Sequence, residues 1–384
     1  MIYLITGLIG AYAAGRFAPA LPWPVAAKWL MALALLAISQ QYLVTRSFFG
    51  SLASPEAPFG VLAFMGWLFG ALLLLSSFLL LKDVGVFLFF VLRKITGLPP
   101  IGLSAAWWTS LLGISALALS AIGVWQAVRV PDVREVEVRL ERLPPQLDGL
   151  KIVQLTDLHA SRLLGSQWQR AVVDKTNALN PDLILITGDL VDGTPENRAA
   201  DVAPLRDLKA RLGVLAIPGN HEYYSDFVAW NAAFERLGLR VLRNEHVVIE
   251  SAGGTLVVAG TTDRNAERFG LPLPDIKQAL AGAPKDVPVV LMAHQPKGAD
   301  VNAAAKVDLQ LSGHTHGGQI TGLHWIVQAA NEGFVSGLYD VGAMQLYVSN
   351  GTGLWNGFPV RIGRPSEITR MTLRAAVPAK PAGA

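Results

Sequence analysis

The chain of 384 residues carries 61 formal charges, 32 Lys or Arg and 29 Asp or Glu. Only eight of them fall in residues 1–128, so charge density rises from about 6 % there to about 21 % beyond, which excludes one uniform globular body. The net charge of +3 divides into +4 and −1 across the same boundary, so no nucleic acid partner is expected, and the absence of cysteine excludes disulfides, thiolate metal sites and cysteine nucleophiles.

Residues 1–128 read as an α-helical transmembrane domain of about four helices. Met1 to Gly15 is short for a span but apolar enough to be one, and it lacks the charged start of a signal peptide. Val25 to Val44 is a second candidate, with Lys28 near one end where it can snorkel to the headgroups. Residues 58–81 form an uncharged run of 24, and residues 105–128 form another, flanked by Trp107, Trp108 and Trp125 as interfacial belts require. The apolar piece Val84–Leu92 between them is too short to cross and reads as an interfacial helix or as a continuation of the preceding span. The partner implied is the lipid bilayer, and the chain is expected to be a multi-pass cell-membrane protein.

Lys and Arg on the two sides balance: Arg16, Lys28, Lys82, Arg93 and Lys94 against Arg46, Arg129, Arg134, Arg139 and Arg142. The last four begin a folded domain that crosses largely regardless of charge, so the tally leans towards an extracytoplasmic C-terminal part. The span interiors hold no Asp, Glu, Arg or His, which favours an anchor or lipid-access platform over a transporter. Gln40, Gln41, Ser76 and Ser77 are expected to serve helix packing.

After a linker and first strand over 129–150, with Glu135–Leu140 alternating polar and apolar, residues 151–375 alternate strands and helices. Short apolar runs at Ile152–Leu155, Leu183–Ile186, Val214–Ile217, Val257–Ala259, Val289–Met292 and Leu309–Leu311 each end in polar or Gly-rich turns. Helix-length stretches such as Gln167–Leu179 and Ser225–Leu237 lie between them. This predicts a layered α/β domain whose strand ends carry the site. Residues 376–384 are expected to be a disordered tail.

Five of the seven histidines follow those strand ends. Asp157-Leu158-His159 follows the first, Gly188-Asp189 the second and Gly219-Asn220-His221-Glu222 the third. His294 ends a later run, and Gly313-His314-Thr315-His316 ends the last. Each piece alone is common in turns. Together they supply Asp oxygen, His nitrogen and Asn carbonyl, the donors that suit two divalent cations such as Mn, Fe or Zn, with Asp189 the natural shared carboxylate. The glycines before Asp189, Asn220 and His314 are expected to make the sharp turns that aim these side chains inward.

These motifs resemble those of the calcineurin-like metallophosphoesterases, whose series runs Asp-x-His, Gly-Asp, Gly-Asn-His-Asp/Glu, His and Gly-His-x-His. The likeness covers residues 157–316 by motif and roughly 135–374 in all, and the strings TGDLVDG, GNHEYYS and GHTHGGQI are similar to the membrane-associated bacterial branch. The resemblance implies a sandwich of mixed sheets flanked by helices. It implies one metal on Asp157, His159, Asp189 and His316 and a second on Asp189, Asn220, His294 and His314. His221 would then be the catalytic acid facing the phosphate, oriented by Asp192.

Other residues carry weaker signals. Arg162 is more often solvated than bound to phosphate, Tyr223, Tyr224 and Trp355 more often packing than pocket wall. His246 reads as a solvated hairpin residue and His324 as structural. The function expected is hydrolysis of a phosphodiester, pyrophosphate or phosphomonoester, on a small molecule or a lipid, by metal-activated water. The alternative is a membrane-tethered module that binds or senses a phosphorylated ligand without turnover.

Overall fold

A computed structural model describes residues 2–98 and 105–376. All but the first residue of the expected disordered tail lies outside them. The chain folds as two compact units, Met1–Gln126 with Asn356–Ile362, and Ala127–Trp355 with Gly363–Ala384.

The first unit is helical, with α1 (Ile2–Phe17), α2 (Val25–Ser39), α3 (Gln41–Phe48), α4 (Phe59–Thr96) and most of α5 (Ala105–Val128). At 1.5 Å per residue α4 is roughly 57 Å long and α5 roughly 36 Å, both beyond the ~30 Å hydrocarbon core. The apolar piece after Lys82 therefore continues α4 rather than forming a separate interfacial helix. Prolines 19, 22 and 24 end α1 early, leaving it roughly 24 Å long. Helices α2 and α3 meet at a 59° bend. The expected four spans become two helices long and apolar enough to cross a membrane, or three if the bent pair is one span, among the described residues.

Within α4, Asp83 is clamped by α1: Arg16 donates to both its oxygens at 2.8 and 2.6 Å, and the Tyr12 hydroxyl donates at 2.9 Å. Ser76 and Ser77 bond back to the carbonyls of Leu72 and Leu73 in their own helix rather than to a neighbour. The segment Asn356–Ile362 packs on α4 and α5 where glycines leave room. A Cβ at Gly66 would lie 2.5 Å from Pro359 and one at Gly123 2.6 Å from Val360, and the Arg361 N–H donates to the Gly123 carbonyl at 3.0 Å. Small residues allow this close approach of backbones.

The second unit is a sandwich of two six-stranded sheets. Its strands are β1 (Asp132–Leu140), β2 (Lys151–Leu155), β3 (Leu183–Thr187), β4 (Val214–Ile217), β5 (Arg240–Val241), β6 (Glu245–Ser251), β7 (Gly254–Gly260), β8 (Val289–Met292), β9 (Leu309–Ser312), β10 (Gly337–Val341), β11 (Met344–Val348) and β12 (Glu367–Ala375). One sheet runs β1-β12-β2-β3-β4-β5 and the other β10-β11-β9-β8-β7-β6. Parallel pairing of β2 with β3 and of β3 with β4 puts their carboxyl ends side by side, as does that of β7 with β8 and β8 with β9.

Strands such as Leu183–Thr187 are buried along their whole length because both faces are covered, which is why they read as continuous apolar runs. Ile152, Leu185 and Ile217 from one sheet meet Val258, Met292 and Leu311 from the other in the central core. Helices α6 (Ser166–Asn177), α7 (Pro195–Val202) and, after α8 (Asn220–Tyr224) past β4, α9 (Phe227–Arg236) pack on the first sheet, and α10 (Ile276–Ala279) and α11 (Ala299–Ala304) on the second; α12 (His324–Ala330) follows β9. Trp230 and Phe234 of α9 pack with Val172 and Val173 of α6 on the first sheet.

Candidate metal centre

The strand ends converge. Asp157 and His159 follow β2, Asp189 follows β3, and Asn220 opens α8 just past β4. His294 follows β8, and His314 and His316 follow β9. The two parallel runs belong to different sheets, so only their facing carboxyl ends could bring these seven together.

The turns are not made as the glycine spacing suggested. Only Gly188, at φ +93°, has a left-handed conformation; Gly219 is extended, at φ −98° and ψ −163°. Gly219 is needed for space, because a Cβ there would run into the Asp189 carboxylate, as one at Gly313 would run into Thr156 and Asp157. The turning is done by the site residues themselves. Asp157, His159, Asp189, His314 and His316 all hold positive φ, from 42° to 68°, five of twelve such non-glycine residues among those described. Each such conformation costs on the order of 1–3 kcal/mol and persists where the surroundings demand it.

The side chains form two groups that share Asp189. On one side His159 Nε2 lies 3.7 Å from Asp189 Oδ2 and 4.0 Å from Asp157 Oδ1, and His316 Nε2 lies 3.7 Å from the same Asp157 oxygen. On the other, His294 Nε2 lies 3.2 Å from Asp189 Oδ2 and 3.1 Å from the Asn220 amide oxygen, which is 2.9 Å from His314 Nδ1. His221 lies beside the same Asp189: ligand atoms of His159, Asp189 and His221 fall within 4.8 Å of one another, the His221 N–H donates to Asp189 Oδ1 at 2.8 Å, and its Nδ1 lies 2.6 Å from Asp192 Oδ1.

The rings are oriented from behind. Asp192 Oδ1 also sits 3.0 Å from His159 Nδ1, and the Thr187 carbonyl accepts from His294 Nδ1 at 2.8 Å. Both contacts put a proton on Nδ1 and turn Nε2 inward, where a neutral imidazole would offer its lone pair, the arrangement that metal-binding imidazoles use. His159 Nε2 is fully buried and takes no hydrogen bond. A buried nitrogen without a partner, facing two carboxylates, fits a divalent cation, as does the mixture of Asp, His and Asn donors around it.

The charges are strongly coupled. Burial alone would raise the Asp189 carboxyl, but His294 and His221 hold it well below the usual carboxylate range. Burial, with the Asp189 charge behind it, pushes Asp157 up despite nearby His294. Burial works against protonation of His221, yet Asp189 and Asp192 raise it to about 9. For His314, burial and His294 together pull the ring down to about 4.

One residue whose role the motif spacing left unread is Glu222. Its buried carboxylate accepts backbone N–H groups from Gly219 at 2.7 Å, Asp189 at 3.1 Å, Leu190 at 2.7 Å and Val191 at 3.3 Å, and so stitches the β3 and β4 ends together. Burial and Asp189 push it up to about 7 while those N–H groups pull it down. The four N–H donors favour its ionised form against that push. An acid directly after the Asn-His pair was the available signal. A second such support is the Tyr347–Gly353 stretch, where Thr352 N–H donates to the Thr156 carbonyl at 2.7 Å and Gly353 N–H to that of Asp157 at 2.9 Å.

The Tyr224 ring centroid lies 5.1 Å from that of His221 and the Trp355 ring 6.4 Å, whereas Tyr223 is buried and stacked on Phe227 at 4.2 Å. Arg162 is exposed on its loop. His246 lies in the β6–β7 hairpin as expected, but half-buried rather than solvated, with Nδ1 2.8 Å from the Ala279 carbonyl. His324 Nδ1 accepts from the Gly322 N–H at 2.9 Å, a structural contact.

Residues 150–318 match the family model for calcineurin-like phosphoesterases. Transmembrane proteins with a metallophosphoesterase domain from Bos taurus and Danio rerio are 39 % and 35 % identical over 270 and 277 residues, covering 67 % and 70 % of this chain and 60 % and 63 % of theirs. The chain thus spans less than two thirds of the length of those two relatives. The metallophosphoesterase YkuE of Bacillus subtilis is 31 % identical over 274 residues, 68 % of this chain and 94 % of that one. With its strand-end donors gathered as they are, the chain belongs to the calcineurin-like metallophosphoesterase family.

Proposed function

We propose that this protein is a membrane-anchored phosphoesterase that uses two divalent cations to hydrolyse a phosphodiester, pyrophosphate or phosphomonoester on a small molecule or a lipid. The observation that carries the reading is the position of Asp189, whose Oδ2 lies 3.7 Å from His159 Nε2 on one side and 3.2 Å from His294 Nε2 on the other. Asp157, His159, Asp189 and His316 would hold one cation, and Asp189, Asn220, His294 and His314 the other. When bound, such ions acidify an attacking water and draw charge from the phosphoryl oxygens.

The chain's own part is to orient and to move protons. Asp192 fixes the tautomer of both His159 and His221, so that each presents Nε2 to the site. His221, held protonated by Asp189 and Asp192 and only partly buried, places its Nε2 proton where a departing oxygen can take it. Tyr224 and Trp355 flank that ring. The helices α4 and α5 support membrane anchoring. The tally of basic residues favours an extracytoplasmic phosphoesterase unit, which a reporter fused after Ala384 tests.

The test of the chemistry is Asp189→Asn in the full-length chain, loaded in turn with Mn, Fe and Zn. Expected are loss of bound metal and of aryl phosphodiester hydrolysis together. Hydrolysis that survives in the metal-stripped variant refutes the mechanism. Two bound metals with no turnover across a broad phosphoester panel would establish the ligand-binding alternative instead.

A further inference from the structure

A cavity of about 120 Å³ opens at the carboxyl ends of β7 and β8, and His294 forms part of its wall. Since one water requires roughly 10–15 Å³ of such space, the cavity has room for a group of several heavy atoms. Its lining includes Arg264, in the short 3-10 helix Arg264–Phe269 after β7, and Lys297, three residues beyond His294. Neither cation has a hydrogen-bond or ion-pair partner among the described residues, whereas Arg134, Arg142, Arg211 and Arg374 of this unit are each paired with a carboxylate.

The carboxylate at this cavity is already engaged. Asp263 accepts from Gln295 Nε2 at 3.1 and 2.9 Å and from the Asn265 N–H and Nδ2 at 2.8 and 3.0 Å. It is buried, and its lone pairs are engaged by these neutral donors, with no ion pair to Arg264 or Lys297 among the described residues. Gly298, at φ +77°, lies beneath the Arg264 guanidinium, and a Cβ there would collide with Nη2. The arginine is thus seated over a glycine at the rim of a cavity that adjoins a candidate metal ligand. Two unpaired cations facing one hollow attract a compact anion, and the guanidinium fork suits phosphate oxygens in particular.

We propose that Arg264 and Lys297 form a second anion subsite, which receives a phosphoryl or similar anionic group one linkage beyond the phosphorus held at the metal centre. The inference rests on the phosphoesterase reading and narrows its substrate class to compounds with two neighbouring anionic groups, of which a pyrophosphate is the simplest. Arg264 and Lys297 are specificity residues in this scheme, holding the second anionic group and not the metal-held phosphorus.

The test uses the full-length, metal-loaded chain in lipid nanodiscs freed of excess metal, titrated calorimetrically with AMP and with α,β-methylene-ADP, which differ by one phosphoryl group. The wild type should bind the diphosphate analogue at least about tenfold more tightly, the strength of one charge-assisted contact, and Arg264→Ala and Lys297→Ala should each erase most of that preference. Arg264→Lys should keep part of it, and thermal melts should show all variants folded. No preference in the wild type, or a preference unchanged in both alanine variants, overturns the subsite. Bis-p-nitrophenyl phosphate hydrolysis is read in parallel. A protein that hydrolyses it without the preference loses only the subsite, and one that shows the preference but hydrolyses nothing with any metal loses only the phosphoesterase reading.

Discussion

Asp192 Oδ1 lies 2.6 Å from Nδ1 of His221, and the same oxygen lies 3.0 Å from Nδ1 of His159. A single buried carboxylate therefore sets the tautomer of a candidate metal ligand and of the candidate proton donor. Burial opposes its charge, yet the two imidazoles hold it below the usual carboxylate range. Asp192→Asn should weaken metal binding and slow turnover, each by about 10–100-fold, as losses behind a metal-binding imidazole do. Metal titration and steady-state kinetics on one preparation would check this, and a variant that loses neither would show that the shared contact is only structural.

Glu222 offers a different kind of test, because it touches the backbone and not the donors. Its two oxygens take four N–H groups. In Glu222→Gln one oxygen becomes an NH₂ that faces donors and can accept nothing, so about 3 kcal/mol of stability should be lost. Denaturant unfolding followed by Trp fluorescence reads that loss. Metal affinity should fall with it, since the N–H of Asp189 is among the bonds broken.

The spatial reading of Gly219 can be separated from ordinary glycine conformational preference. Gly219→Ala drives a methyl into the Asp189 carboxylate and should abolish metal binding and turnover. Gly238→Ala meets open space at φ +85° and should cost only about 1 kcal/mol in stability, with metal binding retained. Equal losses of metal in the two variants would count against the steric account.

Metal should also stabilise the fold by mass action, because the donors are gathered only in the native state. Cation at 100 times its dissociation constant should add about 2.7 kcal/mol to unfolding, and a chelator should remove it. The melting temperature of the wild type should rise with Mn concentration while that of Asp189→Asn stays flat. A wild-type melt indifferent to both metal and chelator would exclude coupling of these donors to an ion.

Much of this was legible along the chain. The uncharged runs at residues 58–81 and 105–128 name their helices because a bilayer offers backbone groups no partner, and the strand-end motifs name their chemistry because Asp, His and Asn in that series have few other uses. The bend between α2 and α3 was not legible, and whether α4 runs unbroken past Lys82 stayed open between two readings, since apolarity reports depth in the membrane and not helix geometry.

The order and identity of the donors were thus determined by sequence alone, a property of which residue types follow which apolar runs. Their convergence was decided by tertiary structure. Asp189 from one sheet meets His294 from the other at 3.2 Å only because two sets of parallel strands, in separate sheets, point their carboxyl ends at one another. The same is true of Glu222, whose four N–H partners lie three to 33 positions away. It is true as well of Arg264 and Lys297, two ordinary surface cations until the ends of β7 and β8 place them on one cavity. Hydrogen bonds and charges act over a few ångströms, and distances that short between distant residues exist only once the chain has folded.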